Sequence, residues 1–116
     1  MRIRRGLLKG DLAKILLIYE GGNKAIIQAV PRPDYLKEGK FRSNNVRPPQ
    51  VLFSIEEAAA AECEVNRRRM PLLNETMHYW ENDFYRNGFL IKDVYLTSYV
   101  TSENVKPSVE EIQMFR

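Results

Sequence analysis

The pair Gly21-Gly22 divides a long apolar stretch and constrains this chain more than any other feature. It stands inside "GLLKGDLAKILLIYEGGNKAIIQAV", residues 6–30. With a helical period, Asp11 to Glu20 and Lys24 to Val30 would be two helices about a Gly-rich turn. Asp11 would then cap the first, and Leu12, Ile15, Leu16 and Tyr19 would share a face. With a period of two, Ala13, Ile15, Leu17 and Tyr19 form a wholly apolar face, opposite Leu12, Lys14, Leu16 and Ile18. The punctuation favours the second reading, a β-hairpin. Gly21, Gly22 and Asn23 tolerate positive φ at little cost, as tight hairpin turns require. The next run carries Ile26, Ile27 and Val30 before Pro31-Arg32-Pro33, and β-branched residues between turn formers favour strands. Met1 to Arg5 alternates Ile3 with Arg2 and Arg4, which reads as a third short strand joined through Gly6 to Asp11. Three short strands with glycine at the corners predict a small barrel.

A chain of 116 residues, 44% hydrophobic and 28% charged, is expected to be a single globular unit. Such a chain buries roughly two-thirds of the surface its unfolded form exposes. Mean hydropathy is −0.43 and no long uncharged apolar run occurs, so no membrane span or membrane partner is expected. "MRIRR" is basic like the start of a signal peptide, but Lys9, Asp11 and Lys14 interrupt the stretch that should be apolar, so no export signal is expected. The single Cys63 cannot close an intramolecular disulfide, and with one histidine, His78, it cannot complete a four-ligand zinc site. A reducing compartment fits. No cofactor, metal or phosphate-binding Gly loop is expected, and Cys63 with His78 reads as packing rather than as a catalytic dyad. The net charge of +3 conceals an imbalance. Residues 1–50 hold 11 Lys/Arg against 4 Asp/Glu, whereas residues 51–116 hold 7 against 11. The basic end is the expected face for an anionic partner.

Residues 31–50, "PRPDYLKEGKFRSNNVRPPQ", contain four of the six prolines and five Lys/Arg against two acids. So long a connection without structure is uncommon in a compact domain unless it is functional or mobile. Arg32, Lys37, Lys40, Arg42 and Arg47 could meet phosphates while Tyr35 or Phe41 stacks on bases; otherwise the stretch is a solvated loop anchored by its aromatics. Ser54-Ile55-Glu56-Glu57 reads as a capping box, predicting a helix from Ile55 that ends at or before Met70, ahead of Pro71. Cys63 falls within it, and Arg67-Arg68-Arg69 in its last turn, suited either to the helix dipole or to a second phosphate contact. Leu73, Met77, Trp80 and Phe84 recur at helical spacing, with Asn87-Gly88 as a possible stop, and Trp80 reads as core. Val94 to Thr101 predicts a strand with Val94, Leu96 and Val100 on one face, and Tyr95, Thr97, Tyr99 and Thr101 on a face that is half-wet or meets a protein partner. Ser108-Val109-Glu110-Glu111 is a second capping box, and Val109, Ile112 and Phe115 give the last helix a docking face.

"IRRGLLKGDLAKI", a basic strand, a glycine, then Gly-Asp leading into an apolar strand, resembles the KOW module of NusG-type transcription elongation factors. "AVPRPDY", "VRPPQVLFSIEEA" and "FYRNGFLIKDVYLTSYVTSENVKPSVEEIQMF" recur in the order found in the first KOW module and following linker of the eukaryotic large subunit, that of the DRB-sensitivity-inducing factor. Residues 58–75 match poorly. The resemblance implies a mainly β fold, a small Tudor/SH3-like barrel (1–33) followed by a basic Pro-rich loop (34–50) and a linker segment (51–116) that adds strands and one or two helices as a single unit. It argues for strands, not a helix, about a turn at Glu81-Asn82-Asp83. It implies a nuclear, non-enzymatic module on transcribing RNA polymerase II near upstream DNA, inside a longer protein whose neighbouring domain binds the small subunit. Sequence-independent contacts to DNA or RNA would come from Arg2, Arg4, Arg5, Lys9, Lys24, Arg32, Lys37, Lys40, Arg42 and Arg47. Two other readings remain: a protein-interaction module docking on polymerase without touching nucleic acid, and, were residues 11–30 helical, a sequence-specific regulator.

Overall fold

The computed structural model describes residues 1–4, 8–35, 48–101 and 107–115, and it is mainly β with short accessory helices. The strands are β1 (Arg2–Ile3), β2 (Ala13–Tyr19), β3 (Lys24–Ala29), β4 (Asn66–Met70), β5 (Glu75–Trp80), β6 (Asp83–Arg86), β7 (Phe89–Tyr95) and β8 (Val100–Thr101). The helices are α1 (Ile55–Ala60), α2 (Leu96–Tyr99) and α3 (Val109–Met114). Hydrogen bonding orders a six-stranded sheet as β2-β3-β7-β6-β5-β4, and β1 pairs with β8 in a second, two-stranded sheet. The chain forms two compact units, Met1–Val30 with Ile91–Arg116, and Pro31–Leu90, the boundary falling within β7.

In the first unit the period of two wins. β2 and β3 pair antiparallel from Ala13↔Ala29 to Tyr19↔Lys24, and the reversal uses left-handed φ at Glu20 (52°), Gly21 (65°) and Gly22 (92°). The expected face of Ala13, Ile15, Leu17 and Tyr19 does not persist. A bulge between Ile15 and Leu17 adds one residue, so Leu17 pairs with Ile26 and turns to the opposite side from Ile15. Ala25, Ile26 and Ile27 are consecutively buried, so β3 is covered on both sides and forms the middle of an aliphatic core with Ile3, Ile91, Val94 and Val100. β1 bridges to Leu12 through Arg2, and Ile3 N–H donates to the Asp11 carbonyl (2.9 Å), while its ladder is with β8, Arg2↔Thr101 and Ile3↔Val100.

The single strand expected over Val94–Thr101 is broken. β7 stops at Tyr95, and α2 intervenes before β8. A helical turn rises about 1.5 Å per residue against about 3.3 Å in a strand, so four residues step the chain sideways onto β1. The step is fixed by Leu96 N–H to the Asn23 carbonyl (2.9 Å) and Arg4 N–H to the Tyr99 carbonyl (2.7 Å). Tertiary pairing overrides the local β propensity. At α3 the capping box is complete, Ser108 Oγ accepting from Glu111 N–H and the Glu111 carboxylate accepting from Ser108 N–H. Ile112 and Phe115 line a cavity of about 510 Å³ with Met1, Leu12, Ala13, Lys14 and Ile15. Val109, expected to dock beside them, is exposed.

In the second unit only half of the predicted box at Ser54 forms. Ser54 Oγ accepts from Glu57 N–H (3.2 Å), while the Ser54 amide donates to the Tyr35 hydroxyl (2.8 Å). The helix expected to reach Met70 ends at Ala60. Cys63 N–H returns to the Ala58 carbonyl (2.8 Å) and Glu62 N–H to that of Ala59 (3.0 Å), with Glu62 at φ +60°, a left-handed C-terminal motif usually made by glycine. Cys63 thus lies past the helix, and Arg67, Arg68 and Arg69 belong to β4. β4 and β5 pair from Asn66↔Tyr79 to Met70↔Glu75. β5 and β6 join at Glu81-Asn82, both left-handed (φ 53° and 67°), so the strand-turn-strand path holds in place of the helical spacing. Asn87-Gly88 makes the next reversal, between β6 and β7. A Cβ on Gly88 (φ +85°) would stand 2.8 Å from Leu52 Cβ. The core is aromatic: Phe53 stacks on Tyr85 at 4.2 Å, Trp80 lies 5.6 Å from Phe53, and Tyr35 lies 5.5 Å from Trp80. Trp80 is a core residue, 7% exposed.

Candidate nucleic-acid interface

In the first unit two of the expected phosphate-binding cations, Arg2 and Lys24, are drawn into the protein's own contacts. Arg2 on β1 meets both carboxylate oxygens of Glu111 on α3, one at 2.9 Å, and also reaches the Gly10 carbonyl (3.3 Å). The hydrogen bond from Arg2 holds the Glu111 carboxyl below its ordinary value, and Glu111 in turn raises the guanidinium. Lys24 opens β3 within 3.5 Å of Asp93 and over the rings of Tyr19 (5.5 Å) and Tyr95 (5.1 Å). Hydrogen bonding to Tyr19 raises its ammonium, while Tyr19, raised chiefly by desolvation, donates to Asp93. Arg4 and Lys9 are exposed.

In the second unit Arg32 donates to the Pro48 carbonyl (2.8 Å), tying the two ends of the basic stretch. Arg5, Lys37, Lys40, Arg42 and Arg47 lie outside the described residues. Among the described residues the longest run of cations is elsewhere. β4 is the terminal strand of its sheet, and Arg67, Arg68 and Arg69 are all exposed. Side chains alternate along a strand. Arg67, opposite His78, and Arg69, opposite Thr76, therefore share one face, and Arg68, opposite Met77, takes the other. The Arg68 guanidinium lies 4.4 Å from the centre of the Tyr79 ring, and Tyr79 packs edge-on against Phe84 at 5.0 Å. Arg69 donates to the Asn74 side-chain carbonyl. Among the described residues none of these three guanidiniums meets a carboxylate, whereas nearby Arg86 pairs with Glu75 at 2.9 Å.

Comparison with known proteins decides the family. The model of the KOW1 domain of transcription elongation factor SPT5 matches residues 1–115. This chain belongs to that family. It is 35% identical over 115 residues to transcription elongation factor spt5 of Schizosaccharomyces pombe, covering 99% of this chain and 11% of that protein. It is 34% identical to the SPT5 of Mycosarcoma maydis, covering 99% of this chain and 13% of that one, and 29% identical to putative SPT5 homolog 2 of Arabidopsis thaliana, covering 100% and 12%. The chain thus spans about an eighth of the length of these relatives. The resemblance read from "IRRGLLKGDLAKI" and the later motifs holds.

Within this KOW1 domain, the β4 arginines are what sequence reasoning misassigned. The signal was present as two extended runs, "NRRRM" and "ETMHYW", around "PLLN", a turn opened by proline and closed by an asparagine at φ +54°. A cavity of about 560 Å³ opens near the start of β4, lined by Tyr35, Cys63, Tyr79 and Trp80 with Glu62, Glu64 and Glu81. Those glutamates repel anions. Cys63 donates its thiol to the Tyr35 carbonyl (3.1 Å), and His78 sits in β5 opposite Arg67 and Tyr85. Among the described residues no group of three or more His, Cys, Asp or Glu could hold a metal, and no helix is long and apolar enough to cross a membrane.

Proposed function

We propose that residues 1–116 act as one non-enzymatic nucleic-acid-binding module of a nuclear transcription elongation factor, making sequence-independent phosphate contacts near upstream DNA on transcribing RNA polymerase II. Its relatives' names support the elongation role. The observation that carries nucleic-acid binding is the run of exposed arginines on β4 that have no carboxylate partner among the described residues. Such charges displace condensed counterions from a phosphate backbone, which gives affinity without reading bases. Arg4, Arg5, Lys9, Arg32, Lys37, Lys40, Arg42 and Arg47 add to that field, while Arg2 and Lys24 contribute less because Glu111 and Asp93 offset them. Nothing in this mechanism needs a cofactor. A partner small subunit would bind a neighbouring domain of the longer protein.

Gel-shift titrations with duplexes of unrelated sequence, run between about 50 and 200 mM salt, test this reading. The expected result is affinity that falls steeply with salt and hardly changes with sequence. A flat salt response overturns it. Retention of polymerase by a protein that ignores free nucleic acid would favour a protein-docking module instead.

A further inference from the structure

We infer that the β4 edge takes a single-stranded nucleic acid, straddled so that phosphates meet Arg67 and Arg69 while an unpaired base stacks on Arg68; this rests on the nucleic-acid reading above. β4 is the last strand of its sheet, so a ligand running along its open side reaches both faces at once. Arg67 and Arg69 project to the same face about 6.7 Å apart along the strand, close to the separation of consecutive phosphates on one nucleic-acid strand. On the other face the Arg68 guanidinium already lies over Tyr79, and Tyr79 against Phe84. The outer side of this exposed, planar guanidinium is a platform of the kind that unpaired bases occupy in RNA recognition. A duplex keeps its bases turned inward and can use the phosphate side only. Every base has a π-face, so the platform is sequence-tolerant. Glu62, Glu64 and Glu81 around the neighbouring cavity repel phosphate and limit the track to the Arg67–Asn74 end.

Fluorescence anisotropy with labelled oligouridylate and a duplex of equal length, across a salt series, tests the inference. The wild-type protein should prefer the single strand. Arg67→Ala with Arg69→Ala should weaken single-strand binding about tenfold or more and flatten its salt slope by about 1.4. Arg68→Lys keeps the charge but loses the planar surface. It should abolish most of the single-strand preference, lowering single-strand affinity relative to duplex about five- to a hundredfold. Unaltered thermal midpoints identify both variants as folded. No preference in the wild type, or variants that leave single-strand binding intact, would overturn the inference; salt-dependent duplex binding in the same titrations would leave the broader function standing. Binding of neither probe would remove both. Tighter binding of polyglutamate than of oligouridylate at these arginines would assign the edge to an acidic protein segment and end the proposal.

Discussion

In the first unit Arg2 and Lys24 lean on carboxylates far away in sequence, Glu111 and Asp93. In the second, Arg68 leans on a ring and Arg69 on an amide, and Arg67 is exposed. The same charge does different work in each. Arg2 clasps α3 to β1 and is largely removed from water, with 15% of its side chain exposed. The β4 arginines stay wet and keep their field. The cores differ as well, aliphatic around β3 in the first unit and aromatic around Phe53, Trp80 and Tyr85 in the second. Burial of Tyr85 pushes its phenol well above the ordinary range, so it stays neutral within the stack.

The largest effect should come from attacking the aromatic side. Trp80→Ala removes the ring that contacts both Tyr35 and Phe53, and a buried tryptophan truncated to alanine costs about 3 to 5 kcal/mol. Urea unfolding measures it. A loss under about 1 kcal/mol would mean that the cluster is not the second unit's core. Gly88→Ala comes next, at about 2 kcal/mol, because it combines left-handed φ with a Cβ set against Leu52. Its readout is the melting temperature, and a neutral result would show that the backbone at Leu52 and Phe53 shifts to make room.

The clasp in the first unit should weaken by about 1 to 3 kcal/mol in Glu111→Gln, since a charged hydrogen bond is replaced by a neutral one. Acid should act in the same direction. A carboxyl held below its ordinary value of 4.5 stabilises the fold fully above that pH, and the contribution fades as pH falls through the lowered value. Amide protection factors in α3, taken relative to the intrinsic exchange rate at each pH, should therefore fall in acid for the wild type, with a much smaller change for Glu111→Gln. An equal loss of protection in both would exclude Glu111 as the cause.

How much of this could be read from the letters depends on the range of each signal. Turn chemistry is local, so Gly21-Gly22 announced the hairpin, and the boxes at Ser54 and Ser108 announced where two helices start. The end of α1 was hidden because a glutamate, not a glycine, takes the left-handed cap at position 62. That concealment carried Arg67–Arg69 into a helix on paper. The break after Tyr95 was hidden for another reason: alternation from Val94 to Thr101 fits a strand perfectly well, and only pairing of β8 with β1 interrupts it. The interface was legible as an excess of charge and illegible as a surface. Counting cations ranked Arg2 and Lys24 as contacts, whereas their acidic partners come from 109 and 69 residues away.

The smallest stability effect should belong to the residues with the largest effect on binding. Arg67→Ala deletes an exposed side chain that meets no carboxylate among the described residues, so unfolding free energy should change by no more than about 0.5 kcal/mol. Arg2→Ala should do the reverse, lowering stability by about 1 to 3 kcal/mol through the loss of Glu111's partner while removing little from the nucleic-acid affinity. The pair of variants forms a crossed test in which folding and binding are measured on the same two proteins. Should Arg2→Ala weaken binding as much as Arg67→Ala, the ion pair with Glu111 must open in the complex, and neutralisation within the fold would be no guide to which cations face the phosphate.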